Sequence, residues 1–331
     1  MSIEVANITL TPPVFLSPLA GITDLPFRRL VARFGAGLTV SEMIASSEIV
    51  TVRPSERARI KLDLGLMDQG VPTSVQLAGR EAHWMAEAAR IAEGSGAQII
   101  DINMGCPAKK VVGGMSGSAL MRDPDHALGL IAAVVAAVKV PVTLKTRLGW
   151  DDAILNAPLI ARRAEAAGVQ MITIHGRTRC QFYKGAADWA AIAAVKAAVT
   201  VPVIANGDIV DAQSAALALK LSGADGVMVG RGAQGRPWLL AQIAARLFGT
   251  VAPVVPVGAA LAEMVAEHYT AMLSHYGTAL GVRVARKHLG WYMQAAGSPA
   301  ALRHPILTAE MPMQVLALLQ GAFGDGTRLA A

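Results

Sequence analysis

Eight short β-rich segments, separated by intervals that suit a helix and two turns, constrain this chain more than any other feature. They are Val14–Ala20, Leu38–Met43, Ser74–Gly79, Ile99–Asn103, Val142–Arg147, Met171–His175, Val201–Asn206 and Gly226–Gly230. Most are near-continuous apolar runs, the pattern of strands covered on both faces. Helical periodicity fills the intervals, most clearly at Glu81–Glu93, Pro124–Val138, Ala153–Ala167, Ala187–Ala198 and Asp211–Leu221. Glycines such as Gly94, Gly168 and Gly223 stand where these helices stop. Eight alternations without a large break predict an α/β fold, a (β/α)8 TIM barrel rather than an open sheet. Past Phe248 the pattern changes. Thr250 to Gly258 is rich in Pro, Val and Gly, and only helical patterns follow, at Ala259–Tyr276, Val282–Ala296, Pro299–Leu307 and Met311–Phe323. A small all-helical C-terminal domain is expected over residues 251–331, after a barrel over residues 1–250.

Composition narrows the class. The 331 residues are 53% hydrophobic, enough for a large core and against disorder. The longest apolar run, Leu128 to Val138, is too short to span a bilayer, and Met1 to Thr11 lacks the pattern of a signal peptide. A cytoplasmic protein without membrane contact is expected, and nothing calls for an obligate protein partner. Two cysteines, Cys106 and Cys180, allow neither a disulfide framework nor a paired-cysteine zinc site. The net charge of +6 suits a polyanionic partner or ordinary solubility equally, and the basic residues form no run of five.

In barrels of this kind the active site lies at the C-terminal ends of the strands. Reactive side chains collect there: Gln76 on the third segment, Asn103 and then Cys106 after the fourth, and Lys145 and Arg147 on the fifth. His175 ends the sixth segment, Asn206-Gly207-Asp208 the seventh and Gly230-Arg231-Gly232 the eighth. Loops after strands seven and eight are the usual phosphate site of the fold, and Arg231 can add charge-assisted hydrogen bonds. Gly230-x-Gly232-x-x-Gly235 also fits a dinucleotide fingerprint formally, but it follows the eighth strand and no acidic residue stands at the expected distance. Lys145 is open to three roles: an interior ion pair, a Schiff-base nucleophile, or a cation facing a reduced flavin. His175 can be a core histidine or a cofactor contact. Cys106 can be a small buried residue or a reactive one on a solvent-facing loop with Lys109, Lys110 and several glycines, whereas Cys180 reads as a buried packing residue.

The stretches Pro18-Leu19-Ala20-Gly21-Ile22-Thr23-Asp24, Asp101-Ile102-Asn103-Met104-Gly105-Cys106-Pro107, Gly114-Met115-Ser116-Gly117-Ser118-Ala119-Leu120-Met121, Leu144-Lys145-Thr146-Arg147, His175-Gly176-Arg177-Thr178, Asn206-Gly207-Asp208 and Gly230-Arg231-Gly232 span the barrel in order. Together they resemble the bacterial tRNA-dihydrouridine synthase family, closest to its B-type members. Cys106 with its flanks is the most specific of them, and Leu19 departs from the family's usual methionine. The resemblance implies reduction of the C5=C6 bond of uridines in tRNA, with FMN as cofactor and NADPH (or NADH) as reductant. It implies that Pro18, Leu19, Ala20, Gln76, Lys145, His175, Asn206, Gly207, Asp208, Gly230 and Arg231 bind FMN. Cys106 is then the general acid, and Asn103, Arg147 and Tyr183 contact the uracil. That role needs the thiol, since C5 must receive a proton on the face opposite the hydride.

Two rivals remain at this level. A small-molecule dihydropyrimidine or dihydroorotate-type flavin reductase shares barrel and cofactor but has no need of the helical tail. A non-catalytic RNA-binding protein on the same barrel has no need of Cys106 and Lys145 together with the phosphate loops. In the tail, Arg283, Arg286 and Lys287 stand three and four apart with His288 beside them, which suggests one basic helical face for RNA phosphates. An alternative RNA path runs past Arg53, Arg57, Arg59 and Lys61.

Overall fold

The computed structural model describes residues 1–51 and 71–323. An antiparallel hairpin of β1 (Ile3–Val5) and β2 (Ile8–Leu10) comes first. The barrel follows as β3 (Val14–Leu16), α1 (Leu25–Phe34), β4 (Leu38–Val40), the short β5 (Ile44–Ala45), α2 (Ser46–Ile49), β6 (Thr73–Ala78), α3 (Ala82–Gly94), β7 (Ile99–Asn103), α4 (Lys109–Gly113) and α5 (Pro124–Ala137). It continues as β8 (Val142–Arg147), α6 (Ala157–Ala166), β9 (Ile172–His175), α7 (Ala193–Lys196), β10 (Val203–Asn206), α8 (Ala212–Ser222), β11 (Gly226–Val229) and α9 (Leu239–Phe248). Then come α10 (Gly258–Tyr276), α11 (Thr278–Ala296), α12 (Ala300–Thr308) and α13 (Pro312–Phe323).

Strands β3, β4 and β6 to β11 pair in parallel around a closed circle, which β4 completes by pairing with β6 as well as β3. Seven of the eight predicted segments contain one of these strands, and the third, Ser74–Gly79, overlaps β6, which begins one residue earlier at Thr73. Their double-sided cover shows in the burial: all six residues of β6 and of β8 are buried. Outward-facing residues such as Val14, Val75, Leu144 and Val203 pack under the helices. Inward-facing Phe15, Leu38, Ile99, Ile204 and Met228 form a second cluster with Ile3, Val5 and Leu10, so the hairpin plugs one end of the barrel. The hairpin escapes the sequence reading because strands of three residues carry too little periodicity.

Two predicted helices start late, for local reasons. Asp151 accepts the N–H of Ala153 and of Ile154 and folds that stretch into a turn, so α6 begins only after Asn156. Residues 187–189 are held by the barrel mouth: Ala187 N–H donates to Asp208 and Trp189 Nε1 to the Gly207 carbonyl. Helix is left only as a 3-10 turn at Ala190–Ile192 and then α7. At α8 the signals hold: Asp211 and Ser214 form a capping box, and Gly223 closes the helix in the left-handed region at φ +64°.

Helices α10 to α13 share an apolar core of their own, around Val265, Met272, Leu289, Val315 and Phe323, which also takes in Leu30 of α1 and Trp238 before α9. The rings of Phe27, His268 and His288 meet at that seam, with ring centres 5.0–5.8 Å apart. Burial, then Arg33, depresses the pKa of His268 to about 3, so it packs as a neutral ring with Nδ1 against the Tyr292 hydroxyl at 3.0 Å. Among the described residues no helix is long and apolar enough to cross a membrane.

Candidate active site at the barrel mouth

The C-terminal strand ends converge on a cavity of about 710 Å³. Parallel register sets the heights of its side chains: Asn103 lies beside Lys145, Arg147 beside His175, and His175 beside Asn206. Residues two apart on a strand share a face, so Lys145 and Arg147 both turn inward. Every residue assigned above to cofactor, base or proton transfer lines this cavity.

Lys145 sits at the floor, buried, with Nζ donating to Asn206 Oδ1 at 2.9 Å. Burial, then repulsion from Arg147, lowers its pKa to about 8, so it is mainly charged at neutrality. Arg147 is lowered to about 10, first by burial, and stays charged. Its guanidinium reaches three carbonyls: Gly105 at 2.7 Å, and Thr178 and Phe182 at 3.0 Å each. It therefore ties the loop of Cys106 to the loop of Tyr183. Burial, then Lys145 and its cationic neighbours, pushes His175 down to about 2. The ring is neutral, and because Arg177 can only donate, the 3.3 Å contact from Arg177 Nη1 makes His175 Nε2 the acceptor.

Cys106 is half-buried on the loop after β7. Its N–H donates to Asn103 Oδ1 at 3.0 Å, and Ser118 donates to its carbonyl through both N–H and Oγ, at 3.1 and 2.9 Å. Gly117 makes that second embrace possible. It lies at φ +60°, and a Cβ there would come within 2.9 Å of the Cys106 carbonyl oxygen. The glycine-rich stretch is thus packed against Cys106, with the five-residue α4 before it, rather than an open loop.

Arg177, to which the sequence reading gives no role beyond its motif, is fully buried. It holds Asp208 with two hydrogen bonds of 3.0 and 2.5 Å and the carbonyls of Lys184 and Gly185 at 3.1 and 2.7 Å. Burial works to raise the Asp208 pKa, but the bonds from Arg177 and Ala187 outweigh it and hold the pKa below the usual range. Opposite charges on adjacent strand ends were the available signal. Arg231 makes only a 3.3 Å contact to Asp208, and its side chain is 55% exposed. Its guanidinium and that of Arg147 flank the Tyr183 ring, at 5.2 and 5.7 Å from the centre.

Two expectations are corrected. Cys180 is exposed, not buried. The basic stripe is not one solvated face: Arg283 is exposed, but Lys287 is half-buried and donates to the Gly21 carbonyl across the seam, and His288 is buried. The turn of α11 that carries Lys287 faces the barrel, so spacing alone misjudged it. Arg53, Arg57, Arg59 and Lys61 lie outside the described residues.

Lys145, Arg147, Arg231 and Arg236 line the cavity against a single lining carboxylate, Asp208, already paired with Arg177. That excess of cations fits a phosphorylated ligand at the rim. Gln76, Asn103, Asn206 and the neutral His175 give a wall of uncharged donors and acceptors that fits a planar heterocycle below it.

Such a fold and mouth define a TIM-barrel enzyme with its chemistry at the C-terminal face of the sheet. The chain belongs to the dihydrouridine synthase (Dus) family, whose model matches residues 15–324, and it is an oxidoreductase of that family. A probable tRNA-dihydrouridine synthase of Rhodobacter capsulatus is 65% identical over 98% of this chain and 99% of its own length. The tRNA-dihydrouridine synthase B of Xanthomonas campestris is 46% identical over 97% and 95%. The fold recurs at 12% identity in histamine dehydrogenase from Rhizobium sp. 4-9 (TM-score 0.57, 81% of this chain) and in a 2-naphthoyl-CoA reductase (TM-score 0.58, 75% of this chain). The chain spans about half the length of each of those two structures.

Proposed function

We propose that this protein is a cytoplasmic tRNA-dihydrouridine synthase that binds FMN in the barrel mouth and uses NADPH or NADH as reductant. The observation that carries this reading is the meeting of Cys106 with the cation-rich cradle in one cavity, on a chain of this family. Arg231 and the backbone around Gly207 and Gly230 would hold the FMN phosphate. Pro18, Leu19 and Ala20, with Gln76, His175 and Asn206, would hold its ring. When bound, the flavin supplies the electron pair, delivered as hydride to C6 of the uracil. Lys145 would supply the positive charge that stabilises the reduced ring.

The other half of the reduction belongs to the chain. A target uridine leaves its stack to enter the mouth. Tyr183, exposed at the rim, gives the base a surface to stack on. Negative charge develops on the C4 carbonyl, and Arg147 together with the remaining Nδ2 proton of Asn103 stabilises it. The Cys106 thiol donates its proton to C5, which completes dihydrouridine and leaves a thiolate that solvent reprotonates. Residues 251–331 form the RNA-binding part of the molecule.

Cys106→Ala tests this directly. The variant should keep FMN and oxidise NADPH, while uridine reduction in unmodified tRNA falls by about 10²–10⁴-fold. Dihydrouridine formation at the wild-type rate would remove Cys106 from the mechanism. Equal turnover of free uracil or orotate would replace tRNA by a small-molecule substrate.

A further inference from the structure

Behind the mouth, Asp101 is buried on β7 next to Gln76 on β6. Gln76 Nε2 donates to Asp101 Oδ2 at 2.7 Å, and Thr143 Oγ1 donates to Asp101 Oδ1 at 2.6 Å. Asn103 Nδ2 donates to Gln76 Oε1 at 2.8 Å. Asn103 Oδ1 accepts the backbone N–H of Gly105 at 3.2 Å and of Cys106 at 3.0 Å. Five groups thus form one line from a buried carboxylate to the backbone of the cysteine loop.

A side-chain amide has one accepting and one donating end, so each amide in such a line fixes the direction of the next. The far end is invariant: two backbone N–H groups can only donate, so Asn103 must face them with its oxygen. Its nitrogen must then face Gln76, and the Gln76 oxygen must face Asn103. The near end requires the same direction, because Asp101 offers two acceptors to two donors. Reversing Asn103 would set N–H against N–H at Gly105 and Cys106, and reversing Gln76 alone would do so at Asn103, in a site where an unmatched donor is costly.

We propose that Asp101 is a positioning residue for the acid cysteine: through Gln76 and Asn103 it locks, from the far side, the amide polarity that the Gly105 and Cys106 N–H groups require, and so holds the Cys106 loop with the thiol aimed at the base. This rests on the reading of Cys106 as the proton donor. The same line fixes which end of Gln76 faces a flavin ring. Burial works to raise the Asp101 pKa, while the bonds from Gln76 and Thr143 and the charge of Lys145 work to lower it. The geometry needs only an acceptor at Oδ2, not a charge.

That distinction makes the test specific. In Asp101→Asn the new amide can keep its oxygen toward Gln76, provided Thr143 turns its hydroxyl to accept from the new nitrogen. In Thr143→Val, Asp101 still accepts from Gln76. Only the double variant has a buried amide nitrogen with no acceptor, which is relieved only by reversing the line. A double-mutant cycle therefore reads the polarity itself. Each variant is assayed as the FMN-loaded enzyme for single-turnover uridine reduction and for alkylation of Cys106 by iodoacetamide, with Cys180→Ser as background. Each single variant should stay within about threefold of wild type, and the double should lose about tenfold or more in turnover, beyond the product of the singles. Its alkylation rate should change in parallel. Multiplicative effects, or a double variant with wild-type turnover and alkylation, overturn the proposal. Both variants conserve volume. If the double proves insoluble while both singles are sound, the non-additivity is read instead from urea midpoints of the singles and of the double co-expressed with a chaperone; additive midpoints count against the relay. Full activity of Cys106→Ala would sink the acid role alone, because the alkylation cycle still reports whether Asp101 sets the loop.

Discussion

Lys145 shows how a single buried charge joins stability to function. Its unfolded-chain pKa is 10.5 and its folded pKa about 8, chiefly through burial. Between those values the unfolded chain binds more protons, so the penalty is fully present below about pH 8 and is relieved as pH rises toward 10.5. The FMN-free wild-type protein should therefore gain on the order of 2–3 kcal/mol of stability across that window relative to Lys145→Met. Urea unfolding of both proteins at several pH values from 7 to 10 measures it, and parallel profiles would refute the assignment. On the proposed function the same substitution should weaken FMN binding, because the cation that destabilises the empty mouth is the one proposed to face the ring. Cys106 differs in kind: its own backbone is held by hydrogen bonds from the Ser118 hydroxyl and to the Asn103 side chain, and the charged Arg147 acts on its loop through the neighbouring Gly105 carbonyl.

At the scale of the element, α1 depends on the residue just before it. Asp24 caps it by accepting the Phe27 N–H at 3.0 Å, and Pro26 fits the first turn, where a missing N–H costs nothing. The cap is buried, and its second oxygen accepts from the Tyr276 hydroxyl of α10 at 3.0 Å. Burial raises the Asp24 pKa from 3.8 to about 6, against the hydrogen bonds from Phe27 and Tyr276; Glu42 adds to the rise and Arg28 offsets it. Here the folded state binds more protons between pH 4 and 6, so this contribution to stability is largest in acid and declines as pH rises through that window. Asp24→Asn still caps the helix and cannot titrate. It should flatten a slope of about 2–3 kcal/mol between pH 4 and 6 in denaturant unfolding. An unchanged slope would place the titrating group elsewhere.

For the whole molecule the seam between barrel and helices is the decisive feature. Lys287 on α11 donates to the Gly21 carbonyl while Glu42 accepts the Gly21 N–H, so one residue of the loop that follows β3 is held through both of its flanking peptides. That loop begins with Pro18, Leu19 and Ala20 at the cavity wall. The helical part therefore braces this loop of the cavity wall as well as extending the surface, and on the proposed function the two basic residues of α11, Lys287 and Arg283, should have separable effects. Lys287→Met should raise the FMN dissociation constant by about tenfold, the worth of a hydrogen bond from a charged donor, with Lys287→Arg restoring much of it. Arg283→Ala should leave FMN affinity alone, weaken tRNA binding and reduce the slope of log K against log salt by roughly one. FMN titration of apoprotein and filter binding of tRNA at several salt concentrations distinguish the two. Equal effects of both substitutions on both ligands would mean that α11 acts only as a unit.

The barrel was legible because strands buried on both faces must be apolar throughout, and helices between them must repeat every three to four residues. Both are local statements, and they located all eight barrel strands and the four helices that follow. Glycine and charge at the strand ends marked the mouth for the same reason: position along a strand fixes height in a closed barrel. Spacing could not say which side of α11 meets the barrel, and so it placed Lys287 with Arg283 although one reaches Gly21 and the other faces solvent. Nor could it pair Arg177 with Asp208, or carry Asp101 through Gln76 and Asn103 to Cys106, since those partners stand 31 and 25 to 27 residues apart along the chain. The sequence determined the elements and the chemistry each strand end brings to the mouth. Only the closing of the sheet, which fixes register and brings distant donors within 3 Å of their acceptors, decided how those groups constrain one another.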